Sequence, residues 1–309
     1  MAEDRSALEE RAIPTKVRLR AAIEAGRWDE AARLTDHLLV DWEEIRFLYP
    51  EFIRRTLDEL RARVGADSRL EALRERLQTA LGPEFEAAEA QAELEREQAA
   101  LAAACREGTA TVARMEALFS SWLALHDPWR DLLSEAIDVG VELLGEARLG
   151  ELWAAIQADE IAGYERYDPA KRPWSESFEE VVQSALTGMN GHLCGPKFDG
   201  EIGVLEAEDR VELRFAPCGS GGRIREDPRF GVTAERHDWA WNKEGVCYYC
   251  VHCCVLQQLS PIDNLGTPVR VIEPPTSPGE ACTWTVYRSL DLVPDAAFEA
   301  VGRERPEPA

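Results

Sequence analysis

Residues 28–65, WDEAARLTDHLLVDWEEIRFLYPEFIRRTLDELRARVG, carry the pattern that decides the fold of the first half of the chain. Apolar residues recur there at helical spacing, first over residues 28–39 and again over residues 53–64. That spacing places them on one face of a helix, so it predicts two amphipathic helices. Residues 84–104 consist almost entirely of strong helix formers, and they predict a long, exposed connecting helix.

The first half matches itself when it is shifted by 80 residues. Trp42 then aligns with Trp122, and Gly65 aligns with Gly145. Each copy is predicted to contain a helix, a break at a proline (Pro50 in the first copy) and a second helix that ends at the glycine. Two such hairpins predict an all-helical N-terminal bundle, which serves as a scaffold or as a homodimer surface. Two unrelated amphipathic helices of similar length would also match at several apolar positions.

The composition changes near Asp168-Pro169, and seven of the eight cysteines lie beyond that point. We therefore predict a helical domain (1–168), a mixed Cys/His-rich domain (169–300) and a disordered tail (301–309). The predicted fold class is α+β, an all-helical bundle followed by a mixed domain. Short β-branched or aromatic runs predict strands over 202–205, 211–215, 267–272 and 282–287. A helix is predicted over 177–189, and residues 246–259 fit a buried helix or a strand, of which the helix is favoured.

The chain is strongly acidic. Its 309 residues include 58 acidic and 35 basic ones, which gives a formal net charge of -23. An acidic surface repels polyphosphate, so nucleic acid is not an expected partner. The sequence holds no long apolar run and no apolar core of a secretory signal, so we expect a cytoplasmic protein without membrane contact. In that reducing compartment the cysteines are expected to be thiols or metal ligands.

Four thiols and an imidazole fall within the eight residues CYYCVHCC (247–254). Thiolate and imidazole are ligands that hold zinc, and a two-residue gap lets two sulfurs reach one ion. The cluster therefore predicts a zinc site, with an iron–sulfur cluster as a less favoured alternative. Cysteines also occur in cores as small buried side chains, which leaves a metal-free arrangement open. The candidate metal ligands are Cys247, Cys250, His252, Cys253, Cys254 and Cys282.

A second candidate site is the loop PCGSGGR (217–223), which follows a predicted strand. The backbone N–H groups of such a loop can converge on an anion, and an arginine can form paired hydrogen bonds with a carboxylate. The same N–H groups favour the thiolate form of Cys218, which makes it a candidate nucleophile. A tight hairpin turn would need the same glycines. The candidate ligand-binding residues of the loop are Gly219, Ser220, Gly221, Gly222 and Arg223.

Two histidines are further candidates for catalysis. In the segment HDWAW (237–241), Asp238 can orient His237 if the fold brings the two side chains together. Trp239 and Trp241 of that segment offer a ligand platform or simply core packing. His192, in the loop GHLCGP, is a candidate general base, a ligand or a surface residue.

The order of segments in the second half resembles a known family. A cysteine-bearing segment (247–255), the loop 266–268, a strand ending at 272–275 and a closing strand GEACTWTV (279–286) follow one another. Over residues 175–290 this order resembles the L-2-amino-thiazoline-4-carboxylic acid hydrolase-like group and the related vinyl-reductase-like small-molecule-binding domains. The resemblance implies a compact α+β domain with a ligand pocket, and hydrolysis of a cyclic C–N or C–S bond as one family activity. The chain departs from the family through its additional cysteines over 247–254, which leaves the substrate unassigned.

These features favour a cytoplasmic small-molecule enzyme, a metal- or thiol-assisted hydrolase or lyase with a Cys/His site. Zinc would lower the pKa of a bound water, whereas a cysteine thiolate would attack the substrate directly. The alternatives are a metal or small-ligand sensor whose cluster is structural, and an iron–sulfur redox protein. We expect Cys218, His237 and at least two of the thiols of residues 247–254 to converge in one pocket.

Overall fold

The computed structural model describes residues 6–82 and 88–307. Within these ranges the first half of the chain is helical, as its apolar spacing predicts. Short 3-10 turns at 146–148 and 164–167 connect its later helices. The α-helices are α1 (Ala7–Arg11), α2 (Thr15–Glu24), α3 (Trp28–Val64), α4 (Ser68–Leu81), α5 (Ala88–Arg106), α6 (Val112–Leu144), α7 (Leu149–Ile156) and α8 (Ala158–Gly163).

Helices α3 and α6 each run without interruption through a proline. The predicted breaks at Pro50 and at the corresponding Pro128 are therefore wrong, and each repeated unit begins with one long helix instead of a hairpin. A proline inside a helix removes one backbone hydrogen bond and crowds the preceding turn. Large apolar side chains close to each proline, such as Ile53 and Trp129, are almost fully buried. Their packing outweighs the loss of one hydrogen bond, so both helices continue.

The helices that the offset of 80 residues relates pack against each other. The rings of Trp42 and Trp122 are stacked, with centroids 4.9 Å apart and planes inclined by 6°. Gly65 and Gly145 follow the two helices with φ of 73° and 84°, a conformation that glycine adopts without strain. These equivalent positions are what an internal duplication would produce.

Helix α5 is less exposed than its composition predicts. Leu94 and Leu101 are buried, and the Gln98 amide donates a 2.7 Å hydrogen bond to the carbonyl of Thr35 in α3. The helix therefore packs along α3 instead of standing free, because apolar residues recur on one of its faces. Residues 84–87 of the predicted connecting helix lie outside the described ranges.

The second half combines helix α9 (Trp174–Gly191) with an antiparallel sheet and short helices. The strands β1 (Gly203–Glu206), β2 (Arg210–Phe215), β3 (Val271–Glu273) and β4 (Cys282–Tyr287) are ordered β1-β2-β4-β3. The short helices are α10 (Gly221–Arg225), α11 (Val251–Cys254), α12 (Ser260–Leu265) and α13 (Asp295–Glu299), with 3-10 turns at 238–240 and 290–292 and a π-helical turn at Val255–Leu259. The α+β class with a mostly helical N-terminal region is thus confirmed.

All four predicted strands are present, but β3 is shorter than predicted. The backbone N–H groups of Val269 and Arg270 donate to the carbonyl of Gln257 at 3.1 and 3.2 Å, so this part of the chain cannot join the sheet. The predicted helix over 246–259 begins only at Val251. The preceding residues form a turn, in which the N–H of Cys250 donates to the carbonyl of Cys247 at 2.8 Å.

Buried apolar side chains from both halves of the chain form one continuous core. Helix α9 approaches α3 so closely that a Cβ atom on Gly191 would lie 2.4 Å from the carbonyl oxygen of Asp41. The indole N–H of Trp122 donates to the carbonyl of Gly191 at 2.8 Å. The boundary near residue 169 therefore separates two compositions but not two cores, and the independent folding of residues 1–168 stays a prediction.

The C-terminal segment packs against the second half as far as it is described. Arg303 forms ion pairs with Asp238 and Asp263, at 3.2 and 2.6 Å, and Arg305 pairs with Asp295 at 2.7 Å. The predicted disorder of residues 301–309 is thus wrong for 301–305, because these arginines hold the chain by charge, while 308–309 lie outside the described residues. Among the helices of the described ranges, none combines the length and hydrophobicity that a membrane span requires.

Candidate functional site

Two adjacent cavities lie where the helical half meets the second half. The outer chamber has a volume of about 470 Å³ and lies between α3, the region of α7 and α8, α9 and the π-helical turn. The inner chamber has a volume of about 60 Å³ and is lined by the glycine loop, the cysteine segment and β4. The residues that line both chambers are Met189, His192, Tyr249, His252, Cys253 and Trp284.

Four cysteines line the inner chamber: Cys218, Cys250, Cys253 and Cys282. They come from the loop after β2, the turn before α11, α11 itself and the start of β4. The glycine loop closes tightly on this cluster, since a Cβ atom on Gly221 would lie 2.3 Å from Sγ of Cys250. Cys218 therefore meets two thiols of residues 247–254 in one chamber, but His237, which the same prediction included, does not line it.

The loop environment favours the thiolate form of Cys218. The neighbouring Cys194 thiol has the largest lowering effect on the pKa of Cys218, which falls to about 5 against the opposing effect of burial. The Ser220 hydroxyl, whose oxygen lies 3.5 Å from Sγ, and the backbone N–H groups of Ser220 and Gly222 lower it further. Cys218 therefore carries a negative charge at neutral pH, which is the form that acts as a nucleophile.

The other thiols of the inner chamber stay protonated. Burial raises the pKa of Cys253 and of Cys282, and a hydrogen bond with Cys247 together with burial raises the pKa of Cys250. Cys253 lies 3.2 Å from Nε2 of His252, whose Nδ1 lies 2.6 Å from the carbonyl oxygen of Tyr249. Because a carbonyl only accepts, Nδ1 of His252 holds the proton and Nε2 accepts from the Cys253 thiol. Burial also lowers the pKa of His252 to about 4, so its ring is neutral.

A chain of three side chains runs from the inner chamber toward solvent. Nδ1 of His192 lies 2.8 Å from Nε2 of His126, and Nδ1 of His126 lies 2.7 Å from the carboxylate of Asp127. Burial lowers the pKa of His126 to about 4 and that of His192 well below its ordinary value. Since the carboxylate only accepts, each neutral ring donates from Nδ1 toward Asp127. Nε2 of His192 is thereby left with a free lone pair, and no described residue donates to it.

Arg223 supports this chain and does not point at a ligand. Its side chain is 9% exposed and lies 3.3 Å from the carboxylate of Asp127. It donates to the carbonyl of Gly219 at 2.5 Å and to the carbonyl of His192 at 2.7 Å. A Cβ atom on Gly219 would lie 2.0 Å from the same His192 carbonyl oxygen. The prediction that Arg223 and Gly219 bind a ligand is therefore corrected: their contacts hold His192 in place, while Ser220, Gly221 and Gly222 do line the inner chamber.

The outer chamber contains buried polar groups whose bonding capacity is not used. Arg270 is 4% exposed, and its guanidinium lies 5.4 Å from the centroid of the Trp284 ring. It donates to Gln257 at 2.5 Å, to the Val181 carbonyl at 2.8 Å and to the Ser184 hydroxyl, but its Nε has no partner. No acidic side chain among residues 6–82 and 88–307 lies within ion-pair distance of it. Gln157 is fully buried, and neither its side-chain nitrogen nor its side-chain oxygen has a hydrogen-bond partner. Both residues line the outer chamber.

The HDWAW segment lies away from both chambers except for its last tryptophan. Nε2 of His237 lies 3.0 Å from Glu146, and its ring stacks on Trp239 with centroids 4.1 Å apart. Asp238 pairs with Arg303 at 3.2 Å instead of orienting His237. The predicted catalytic roles of His237 and Asp238 and the ligand role of Trp239 are therefore corrected, because these residues join a loop to the end of α6 and to the C-terminal segment.

Three remaining candidates have structural contacts. Trp241 lines the inner chamber, and its indole N–H donates to Gln258 at 3.0 Å. Cys247 is fully buried behind Cys250, outside the chamber lining. The thiol of Cys254 points away from the chamber to the carbonyl of Asp238, at 3.7 Å.

The described residues contain no group of three or more His, Cys, Asp or Glu side chains spaced to hold a metal ion. A tetrahedral zinc shell needs ligand atoms mutually within about 3–4 Å. Cys218, Cys250, Cys253 and Cys282 share a chamber but not that spacing. Zinc and an iron–sulfur cluster therefore remain predictions from sequence.

Sequence reasoning missed His126, Asp127, Gln157 and Arg270. The adjacent pair His126-Asp127 can be read from the sequence. Only the fold shows that His126 contacts His192, which lies 66 residues further along the chain. Gln157 and Arg270 carry no local motif, because a glutamine or an arginine is ordinarily a surface residue. Their significance comes from burial beside a cavity.

Comparison with known protein families, with curated proteins and with solved structures finds no match for this chain. Its function is therefore argued from the two chambers and from the charges and hydrogen bonds of their residues.

Proposed function

We propose that this protein is a thiol-dependent hydrolase of a small anionic molecule. The observation that carries the proposal is that Cys218, with a pKa of about 5, and His192, with a free Nε2, line the same inner chamber. The adjacent outer chamber, of about 470 Å³, is within the usual size range of small-molecule sites. An activated thiolate and an oriented neutral imidazole that line one chamber are the two groups that nucleophilic catalysis by cysteine uses.

The hydrolysis proceeds through a covalent thiol ester or its C=N equivalent. In the first step Sγ of Cys218 forms a bond with the electrophilic carbon, the bond to the leaving group breaks, and the Cys253 thiol gives the leaving group a proton. In the second step water attacks the same carbon, Nε2 of His192 accepts the water proton, and the C–S bond breaks to regenerate the Cys218 thiolate. The proton then returns from His192 to Cys253, so one water is consumed overall.

Arg270 indicates that the substrate is an anion. A buried guanidinium without a carboxylate partner is unfavourable, because the charge has lost water and gained no counter-ion. Arg270 lines the outer chamber, and its Nε has no partner. A carboxylate on the substrate would supply the missing charge through the planar donor array of arginine.

A second candidate function is the binding of a thiophilic metal ion, as the zinc and sensor alternatives suppose. The specific observation in its favour is that four thiols line one small chamber. Such binding requires the side chains to move closer together than they lie here. Elemental analysis of the purified protein decides this point, since stoichiometric zinc or iron would favour the binding role.

The eight cysteines are all free thiols. A low-pKa thiolate close to several thiols is readily oxidised, so the proposed chemistry suits a reducing compartment such as the cytoplasm. The proposed homodimer through the helical half is to be tested by light scattering, with a monomeric mass as the contrary result.

The experiment that tests the hydrolase proposal is alkylation by iodoacetamide at about pH 6, followed by mass spectrometry of the peptides. Roughly nine-tenths of a thiol with a pKa of about 5 is thiolate at that pH, compared with under 1% of an ordinary thiol. We expect Cys218 to react first, and Cys218→Ser to abolish hydrolysis of nitrophenyl acetate. The matched control is Cys105→Ser in the helical half, which should change neither result. Preferential labelling of another cysteine, or hydrolysis retained in Cys218→Ser, would contradict the proposal.

A further inference from the structure

We propose that Gln157 recognises an amide or urea group of the substrate, so that the substrate is an N-acyl or N-carbamoyl amino acid. This inference rests on the proposed function and names its substrate class. Gln157 lies at the junction between α7 and α8 and lines the outer chamber. It is fully buried, and neither atom of its side-chain amide has a hydrogen-bond partner among the described residues.

Other buried glutamines of the protein are paired. Gln98 donates to the Thr35 carbonyl at 2.7 Å. Gln257 accepts from Tyr164 at 2.7 Å, and Gln258 donates to the carbonyl of Ala297 at 2.6 Å. A buried amide that leaves both its donor and its acceptor unpaired is unfavourable, and the feature commonly marks a place where another molecule binds. Gln157 is therefore better explained by a ligand than by the packing of the fold.

The ligand must offer an acceptor and a donor side by side to satisfy both ends of this amide. The C=O and N–H groups of an amide or urea provide that pair. Arg270, in the same chamber, calls for a carboxylate. Aromatic and aliphatic side chains such as Phe52 and Leu48 cover other parts of the wall and suit an apolar acyl group. An acylated amino acid combines all three features in one small molecule.

The test is calorimetric titration of the full-length Cys218→Ser protein with three probes of similar shape. The first is N-benzoylglycine, which has an amide and a carboxylate. The second is benzoylpropionate, in which CH2 replaces the amide N–H, and the third is the methyl ester of N-benzoylglycine. We expect N-benzoylglycine to bind roughly tenfold more tightly than benzoylpropionate, because one ligand donor is lost, and more tightly than the ester, because the charge is lost.

Gln157→Met, made like its control in the Cys218→Ser protein, tests the assignment to one residue, since it keeps the length of the side chain and removes both polar atoms. We expect the preference for N-benzoylglycine over benzoylpropionate to disappear, while the preference over the ester remains. The melting temperature of the unliganded variant should rise, because the variant no longer buries an unpaired amide. The matched control is Gln183→Met on the exposed face of α9, which should leave both preferences unchanged.

Any one of three results would overturn the proposal: no binding of N-benzoylglycine by the Cys218→Ser protein, an unchanged preference in Gln157→Met, or a lower melting temperature of that variant. The titrations involve no thiol chemistry, because Cys218 is absent from every protein used. A failure of the hydrolase proposal is seen instead in the alkylation and nitrophenyl acetate assays, so the two failures are distinguishable.

Discussion

Acidification should destabilise this protein through histidines that the fold keeps neutral. Burial lowers the pKa of His126 and of His252 to about 4, below the value of about 6.5 in an unfolded chain. Between pH of about 4 and about 6.5, both histidines bind a proton in the unfolded chain and do not bind one in the folded chain. Stability therefore falls as the pH falls from about 6.5 toward about 4, and His192 shifts in the same direction.

The magnitude follows from the number of protons. Each of the two histidines contributes a slope that rises to about 1.4 kcal/mol per pH unit once the unfolded ring is fully protonated. Acidification from pH 6.5 to 5 therefore removes about 3 kcal/mol from the free energy of unfolding. Asp138 acts in the opposite direction, because burial raises its pKa to about 6 and the folded chain then gains its proton first. Proton uptake by Asp138 stabilises the folded chain by about 1.4 kcal/mol between pH 6 and 5. Burial also raises the pKa of Asp41, which adds to that opposing effect.

Cys218 adds to the loss, because its pKa of about 5 in the folded chain lies below the value of about 8.5 in an unfolded chain. Between pH 6.5 and 5 the unfolded chain therefore holds a proton that the folded chain mostly lacks, which removes about 2 kcal/mol more. The net loss is about 3–4 kcal/mol.

The assay is urea unfolding followed by tryptophan fluorescence at several pH values between about 5 and 7. His126→Asn, which removes one titrating ring, should reduce the slope of stability against pH by about 1.4 kcal/mol per unit. The matched control is the same substitution at His37, whose side chain is 60% exposed. A free energy of unfolding that stays constant from pH 6.5 to 5, or a full slope retained by His126→Asn, would refute the reasoning.

Three further predictions concern single residues. Cys194→Ala removes the thiol that lowers the pKa of Cys218 most, so the midpoint of the iodoacetamide rate against pH should move upward, and an unchanged midpoint would contradict that cause. Gly219→Ala places a Cβ atom 2.0 Å from the carbonyl oxygen of His192, so urea unfolding should show a loss of about 2 kcal/mol or more, and a smaller loss would show that the loop can relax. Gly65→Ala meets no atom within 4 Å but must adopt φ of 73°, so the loss measured in the same way should be only about 1 kcal/mol.

The sequence determined the local structure well, because local structure follows from the spacing of apolar residues and from turn residues. Amphipathic spacing in α3 indicated a helix, and alternation in β4 indicated a strand at Cys282–Tyr287. Its main local error was to end helices at Pro50 and Pro128. The tendency of proline to end a helix is a local property of the chain, whereas the packing that outweighs it involves helices distant in the sequence.

Candidate residues that lie on one loop could also be predicted from the sequence. The PCGSGGR loop indicated an activated Cys218, because consecutive N–H groups of a glycine-rich turn stabilise a thiolate wherever the loop lies. The cysteine segment indicated thiols that meet, and Cys250 and Cys253 do lie in the chamber of Cys218. The exclusion of His237 could not be predicted, since Glu146, which holds it, lies 91 residues away.

Only the tertiary structure decided which polar groups lack partners. Asp127 orients His126 and His126 orients His192 because α6 passes beside the end of α9, and no sequence pattern records that crossing. Whether Gln157 and Arg270 are paired depends on every neighbour that the fold brings within hydrogen-bond distance. A sequence specifies the donors and acceptors that a chain carries, but the energy of a buried polar group depends on its partners, and these are set by contacts between residues far apart in the chain.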